Sequence, residues 1–312
     1  MSAQDSPVND DPAADLAALR EGAALVERAG DLLELTGPDR LRLLNGLVTA
    51  DVKAAAPGTA VGGFFTSGQG RILADFHLLA GTESAWLALP LGCGETIRTH
   101  LEKYKVASRV EISQVPDRRL FELRGPRSGE VAPLPATAGE GFVANAGAYF
   151  HLLGAFSAEL ALSEWLRKEA ATGLRRVGAA AVEIARIEDG ELVFGVDFSG
   201  ENFPQETGRE SAVSYSKGCY LGQEVVARIH YRGGVQRLPR GLRFADDRTP
   251  AAGAELLFEG RSVGRATSVT RSPRFGAIGL GLLHQRAAAP GIRLEVGGGG
   301  AEVVALPFGS SV

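Results

Sequence analysis

The sequence predicts an α+β protein that ends in a small all-β domain. Two observations carry this. Helical and strand-like periodicities are interleaved over roughly the first 240 residues without the regular strand–helix alternation of a doubly wound sheet. From Gly241 the character changes to short apolar runs cut by Gly and Pro, the pattern of a small barrel or sandwich. The 312 residues allow two or three compact units. The expected division is an acidic disordered tail over 1–15, an α+β region over 16–240 with a junction loop near 125–150, and a β domain over 241–312.

Taken in order, residues 1–15 hold four Asp, two Pro and no basic side chain, the reverse of a secretory leader. Leu16, Leu19, Ala23 and Val26 then fall on one helical face, so a helix is expected from Asp15 to Ala29, stopped by Gly30. DLLELTG reads as a strand. Pro38 opens a second helix, where its missing N–H costs nothing, with Leu41, Leu44 and Leu47 or Val48 as the buried stripe. VGGFFTSGQGRILADFHLLAG reads as a hairpin whose turn is SGQG. A strand at Ala85–Leu89, a helix over Glu95–Tyr104, and strands near Arg109–Ile112 and Leu120–Leu123 follow. Arg124–Gly147 has no period and reads as a loop. Helices are expected around Ser163–Ala171 and Gly178–Ile187.

Composition excludes several function classes. Thirty-three basic against 37 acidic residues leave a net charge of −4, which does not suggest a nucleic-acid partner. Two cysteines exclude a disulfide scaffold and a four-thiolate cluster, and the five histidines lack metal-ligand spacing, so no resident metal is expected. No apolar run reaches membrane-spanning length. Free cysteines without a leader or an anchor point to the cytoplasm. SGQGR lacks the spacing of a dinucleotide fingerprint, and there is no GxSxG or HExxH motif.

The even balance hides two opposed blocks. Glu188–Glu210 carries seven acids (Glu188, Asp189, Glu191, Asp197, Glu201, Glu206, Glu210) against Arg209, whereas Lys217–Arg243 carries six bases against Glu224. They form either solvated faces or a polar cleft able to hold hydrogen-bond donors and an anionic tail. At their boundary lies SYSKGCYLGQEVVARIHYRGGVQR, 214–237. Here Cys219 sits between Gly218 and Gly222 in a tight turn, two residues after Lys217, whose ammonium would favour a thiolate. Cys219 is thus either reactive or an inert thiol. Cys93 in LGCGE has no basic neighbour and reads as inert.

The octapeptide KGCYLGQE, 217–224, followed by VVAR, resembles the signature of the YgfZ family of folate-binding proteins, which are associated with iron–sulfur cluster assembly or repair. LTGPDRLRLLNGLVTADV (35–52), FFTSGQGRILADF (64–76), ARIEDGELVFGVDFSGENFPQE (185–206) and ALPF (305–308) follow the family order. The resemblance implies the fold of the glycine cleavage T-protein, with α+β subdomains around a central folate cavity and a C-terminal β-barrel. It implies tetrahydrofolate or another reduced folate as cofactor, and iron–sulfur client proteins or assembly factors as partners. Cys219 and Lys217 would carry the chemistry. Asp75 in GRILADF matches the T-protein carboxylate near the reactive folate nitrogen. Arg228, Glu201, Glu206, Tyr220, Gly218 and Gly222 would bind the cofactor, since a carboxylate can pair with an aminopyrimidine edge and Arg can hold a glutamate tail. The alternative is a tetrahydrofolate-dependent aminomethyl or one-carbon transferase. Against it, T-proteins usually carry an acidic residue where Cys219 stands, and their VVNA-like stretch is replaced here by WLALPLG.

Overall fold

A computed structural model of the chain describes residues 11–116, 119–131, 142–146, 149–154, 165, 167–170, 173–245 and 248–310. Most of the expected tail, much of the 125–150 loop and half of the expected Ser163–Ala171 helix lie outside the described residues. The chain divides into two compact units. The first comprises Met1–Phe65, Ala74–Val182 and Ala212–Leu221; the second comprises Thr66–Leu73, Glu183–Ser211 and Gly222–Val312.

In the first unit, helix α1 (Pro12–Glu21) begins inside the stretch expected to be tail. Pro12 needs no N–H partner in the first turn, and the Asp11 carboxylate accepts the Ala14 N–H at 3.1 Å. The helix stops at Gly22, not Ala29, and Ala23–Arg28 is strand β1. The error has a physical source. β1 lies within the sheet between β10 (Leu174–Arg176, parallel) and β7 (Arg119–Arg124, antiparallel), and Ala23, Ala24, Leu25 and Val26 are buried on both of its faces, so the strand shows no alternation. The sheet order is β10-β1-β7-β9-β8, with β8 Phe142–Ala146 and β9 Tyr149–Gly154. Asp15, itself buried, ties α1 to this sheet by accepting from Arg175 Nε at 2.5 Å and Gly178 N at 2.8 Å.

A second sheet has the order β3-β4-β5-β2-β6. Its strands are β2 (Asp31–Thr36), β3 (Ala60–Thr66), β4 (Ile72–Ala80), β5 (Ser84–Leu89) and β6 (Glu111–Gln114). The SGQG turn closes the β3–β4 hairpin as expected, with Ser67 N donating to Arg71 O at 2.8 Å. Helix α2 (Arg40–Asn45) is shorter than its apolar stripe suggests, and α3 (Gly94–Tyr104) buries Ile97 and Leu101. Leu32, Leu79, Trp86, Ala88 and Leu120 form one core cluster of this unit.

The second unit is built on a closed barrel of order β11-β14-β13-β12-β15-β16. Its strands are β11 (Arg237–Phe244), β12 (Glu255–Phe258), β13 (Arg261–Ser272), β14 (Gly276–His284), β15 (Arg293–Val296) and β16 (Gly299–Val304), and β11 starts ahead of the expected Gly241. Leu242, Phe244, Leu256, Val263, Leu283, Leu294 and Val303 fill it. β14 carries Gly279 because a Cβ there would stand 2.5 Å from Ser268 O, beside the register shift of β13.

Helix α4 (Ala179–Asp189) reaches into this unit and delivers Arg186, which is buried. All five of its N–H groups are used. Nη1 donates to Asp197 Oδ2 at 3.0 Å and Glu191 O at 3.1 Å, Nη2 to Ser268 Oγ at 2.7 Å and Glu183 Oε1 at 2.6 Å, and Nε to Glu183 Oε2. Asp197 completes the set by accepting from Val193 N, Thr267 Oγ1 and Ser268 Oγ. Glu188 likewise accepts from Ser272 Oγ at 2.5 Å. Glu188 and Asp197 of the acidic block are therefore internal framework and belong to no solvated face.

Candidate functional site

The segment carrying most of the motif is fixed from both ends within the first unit. Thr49 Oγ1 donates to Ala212 O at 2.6 Å, Ser214 N donates to Thr49 O at 2.9 Å, and Leu221 N donates to Gly46 O at 3.0 Å. Between these ties Lys217 is buried, and its Nζ donates to the carbonyls of Val48 at 2.8 Å and Ala50 at 2.6 Å. Burial lowers its pKa to about 8, against an opposing pull from the Asp51 carboxylate. The sequence places this ammonium beside Cys219 as a thiolate-favouring charge. The structure instead commits it to the backbone of the 48–50 turn and to the face of Tyr220, 5.1 Å from the ring centroid.

Cys219 is free and exposed. Tyr220, next to it, is 6% exposed, and its hydroxyl is buried without a hydrogen-bond partner among the described residues. Burial and the nearby Tyr215 push its pKa up, so the O–H stays protonated and available as a donor. An unpaired buried hydroxyl costs about 1–3 kcal/mol, and such groups call for an explanation. Around Gly218 there is open space where a Cβ would stand.

Asp75, on β4, is half-buried, and its charge acts on the other cysteine. Burial, with the carboxylates of Asp31 and Asp75, pushes the Cys93 thiol up, in keeping with the inert thiol expected there.

The remaining predicted residues lie in the second unit. Gly222 starts helix α5 (Gln223–Arg228) at φ +85°, and a Cβ there would stand 2.4 Å from Ser67 O at the hairpin tip. Arg228, at the end of α5, is exposed and donates to Glu224 Oε1 at 2.7 Å. Glu206 is buried, and its Oε2 accepts from Asn202 Nδ2 and Phe203 N, both at 3.1 Å, so that it shapes the 202–207 turn. Glu201 presents an exposed side chain, while its backbone is held by Arg71, which donates to Glu201 O. The Arg71 guanidinium also lies 3.9 Å from the Phe203 ring centroid. Sequence reasoning missed Arg71, Asn202 and Thr49. Arg71 alone had a signal, since it ends the SGQGR turn.

Among the described residues no His, Cys, Asp and Glu cluster could hold a metal ion, and no helix is long and apolar enough to cross a membrane.

Residues 238–308 match the family model of the glycine cleavage T-protein C-terminal barrel domain. The glycine cleavage system aminomethyltransferase T of Bartonella henselae superposes with a TM-score of 0.82 at 22% identity, over 94% of this chain and 88% of that one. The fold is therefore T-protein-like. Among sequence relatives, the tRNA-modifying protein YgfZ of Yersinia pseudotuberculosis serotype IB is 30% identical over 242 residues, 73% of each chain. That of Yersinia enterocolitica is 29% identical over the same shares, and a putative chloroplastic transferase of Arabidopsis thaliana is 27% identical over 93% of this chain and 71% of its own. The chain belongs to the YgfZ family.

Proposed function

We propose that the protein binds a reduced folate, tetrahydrofolate in the first instance, and serves cytoplasmic iron–sulfur client proteins through the Cys219 thiol. The observation that carries this reading is the pairing of an exposed, free Cys219 with the buried, partnerless hydroxyl of Tyr220 on one anchored segment. A folate offers ring nitrogens, a carbonyl and carboxylates that can accept from such a hydroxyl, and the space at Gly218 lets a planar group approach the backbone. Glu201 is a freer carboxylate for an aminopyrimidine edge than Glu206, which is spent on its own turn. Arg228 would exchange its exposed Glu224 partner for a glutamate tail. The Cys219 sulfur would serve as a soft iron ligand and as an exchange partner for a client's cluster-binding thiols.

The relatives' role in modifying tRNA fits this reading when the client is an iron–sulfur enzyme acting on tRNA. In cells lacking the native protein, Cys219→Ser is expected to fail to sustain client iron–sulfur enzymes under oxidative stress, whereas Cys93→Ser succeeds. Equal rescue by both would remove the thiol from the account. The fold also supports a second reading, aminomethyl transfer to tetrahydrofolate with Asp75 as the carboxylate. Release of methylene-tetrahydrofolate from an aminomethyl donor, abolished by Asp75→Asn, would favour it.

A further inference from the structure

The first unit carries a cleft that the folate reading does not use. It lies between α2 and the end of α3, has a volume of about 260 Å³, and is lined by Arg42, Leu43, Gly46, Leu47, Tyr104 and Ser108. Two chain turns build it. At the end of α2, Gly46 N donates to Leu43 O at 3.2 Å and Leu47 N to Leu44 O at 2.8 Å, a tightened last turn that leaves Leu43 and Leu47 buried as an apolar floor. After α3 stops at Tyr104, Ser108 N donates to Lys105 O at 2.7 Å, and the chain turns back to bring Ser108 to the same cleft.

The polar groups of the lining are unspent. Among the described residues the Ser108 and Tyr104 hydroxyls have no hydrogen-bond partner, and Arg42 uses only Nε, 3.4 Å from Asp39 Oδ1. The Arg42 side chain is 62% exposed, so Nη1 and Nη2 remain open to a ligand. Asp39 does not neutralise the site, because its Oδ2 also accepts from Arg109 N at 2.9 Å and Arg109 Nε at 3.5 Å. One carboxylate thus serves two guanidinium groups. Lys103 adds a third cation, with Nζ 5.4 Å from the Tyr104 ring centroid and no ion pair among the described residues. The Tyr104 ring is 38% exposed and is backed by the His100 ring, 5.1 Å away between centroids. No carboxylate lines the cleft among the described residues.

We infer that this cleft binds a small planar anion, an aromatic ring system carrying one phosphate or carboxylate. The apolar floor and the Tyr104 ring receive the ring system, and the Arg42 fork receives the oxyanion. Both oxyanions match a guanidinium in two-point contact, so they share this chemistry. A bare inorganic anion would leave the floor and the ring uncovered. The volume falls just under the roughly 300–1,000 Å³ of ordinary small-molecule sites, which sets the ligand at the size of a mononucleotide or an aromatic acid. Gly46, in the lining, also accepts Leu221 N at 3.0 Å, so the cleft adjoins the anchored segment that carries Cys219. The inference goes beyond the folate reading and stands without it.

The test is calorimetric titration of the full chain with adenosine 5′-monophosphate and, separately, with indole-3-acetate, which present a phosphate and a carboxylate on planar rings. Saturable binding of at least one is expected, and the tighter probe identifies the oxyanion. Arg42→Gln should weaken it at least about tenfold through loss of the charge-assisted pair, and Tyr104→Ala about three- to tenfold through loss of the ring contact. Both side chains are exposed, so unchanged thermal unfolding is expected and separates lost contact from misfolding. Saturating tetrahydrofolate should leave probe binding intact. No saturation with either probe, or variants that bind as wild type, would overturn the inference. So would loss of probe binding in the presence of tetrahydrofolate, which would make the cleft part of a folate site.

Discussion

Two of the buried cations are held in two different ways. Arg186, in the barrel unit, has every N–H matched, two carboxylates within reach and a Ser hydroxyl to finish the set. Lys217, in the other unit, rests on two carbonyls and an aromatic face, beside a tyrosine hydroxyl with no partner. A fully satisfied buried network specifies the fold and offers nothing to a ligand. One left incomplete around an exposed thiol is where binding energy can still be gained. The contrast separates framework from site more sharply than charge counting, which ranks the acidic block and the Lys217 motif alike.

The largest expected effect tests the framework half. Asp197→Ala leaves Arg186 buried without its inner carboxylate and should destabilise the protein by about 3–5 kcal/mol in urea unfolding. A loss under about 1 kcal/mol would show that the network is dispensable. Lys217 should respond to pH instead. Its pKa is about 8 in the fold against an ordinary 10.5, so between these values the unfolded chain binds more protons. Stability from this group therefore rises as pH goes from about 8 to about 10.5, by at most about 3 kcal/mol, and Lys217→Met should remove that rise. An unaltered pH slope in the variant would contradict the burial of the ammonium.

Gly222→Ala puts a Cβ against Ser67 O at a positive φ and should cost about 2 kcal/mol in the same unfolding measurement. A neutral result would mean that the hairpin tip is not packed on α5. The smallest effect is expected at Tyr220→Phe. Since no hydrogen bond is lost and an unsatisfied buried group is removed, stability should rise by about 1 kcal/mol, the lower end of what such a group costs.

Local chemistry was legible in the sequence wherever the signal was short in range. The SGQG turn, the helix buried at Ile97 and Leu101 and the Gly-punctuated barrel follow from residues within a turn or two of one another. β1 reads as helix because AALV is buried on both faces of its sheet, which erases the alternation that identifies a strand. The roles of Asp197 and Glu206 were equally hidden. An acidic residue reads as solvated or ligand-binding until its donors are known, and those of Asp197 include Thr267 and Ser268, some seventy positions away. The motif itself was found, but the direction in which Lys217 points was not, because its two acceptors lie near residue 49.

The most direct test of the central claim is calorimetric titration of tetrahydrofolate into the wild-type chain and into Tyr220→Phe. Saturable binding by the wild type, weakened about fivefold or more in the variant with no loss of stability, is the predicted result, as one hydrogen bond of about 1 kcal/mol is lost. Absence of saturable heat with the wild type, or equal affinity in both, would contradict the assignment of the unsatisfied hydroxyl to a folate.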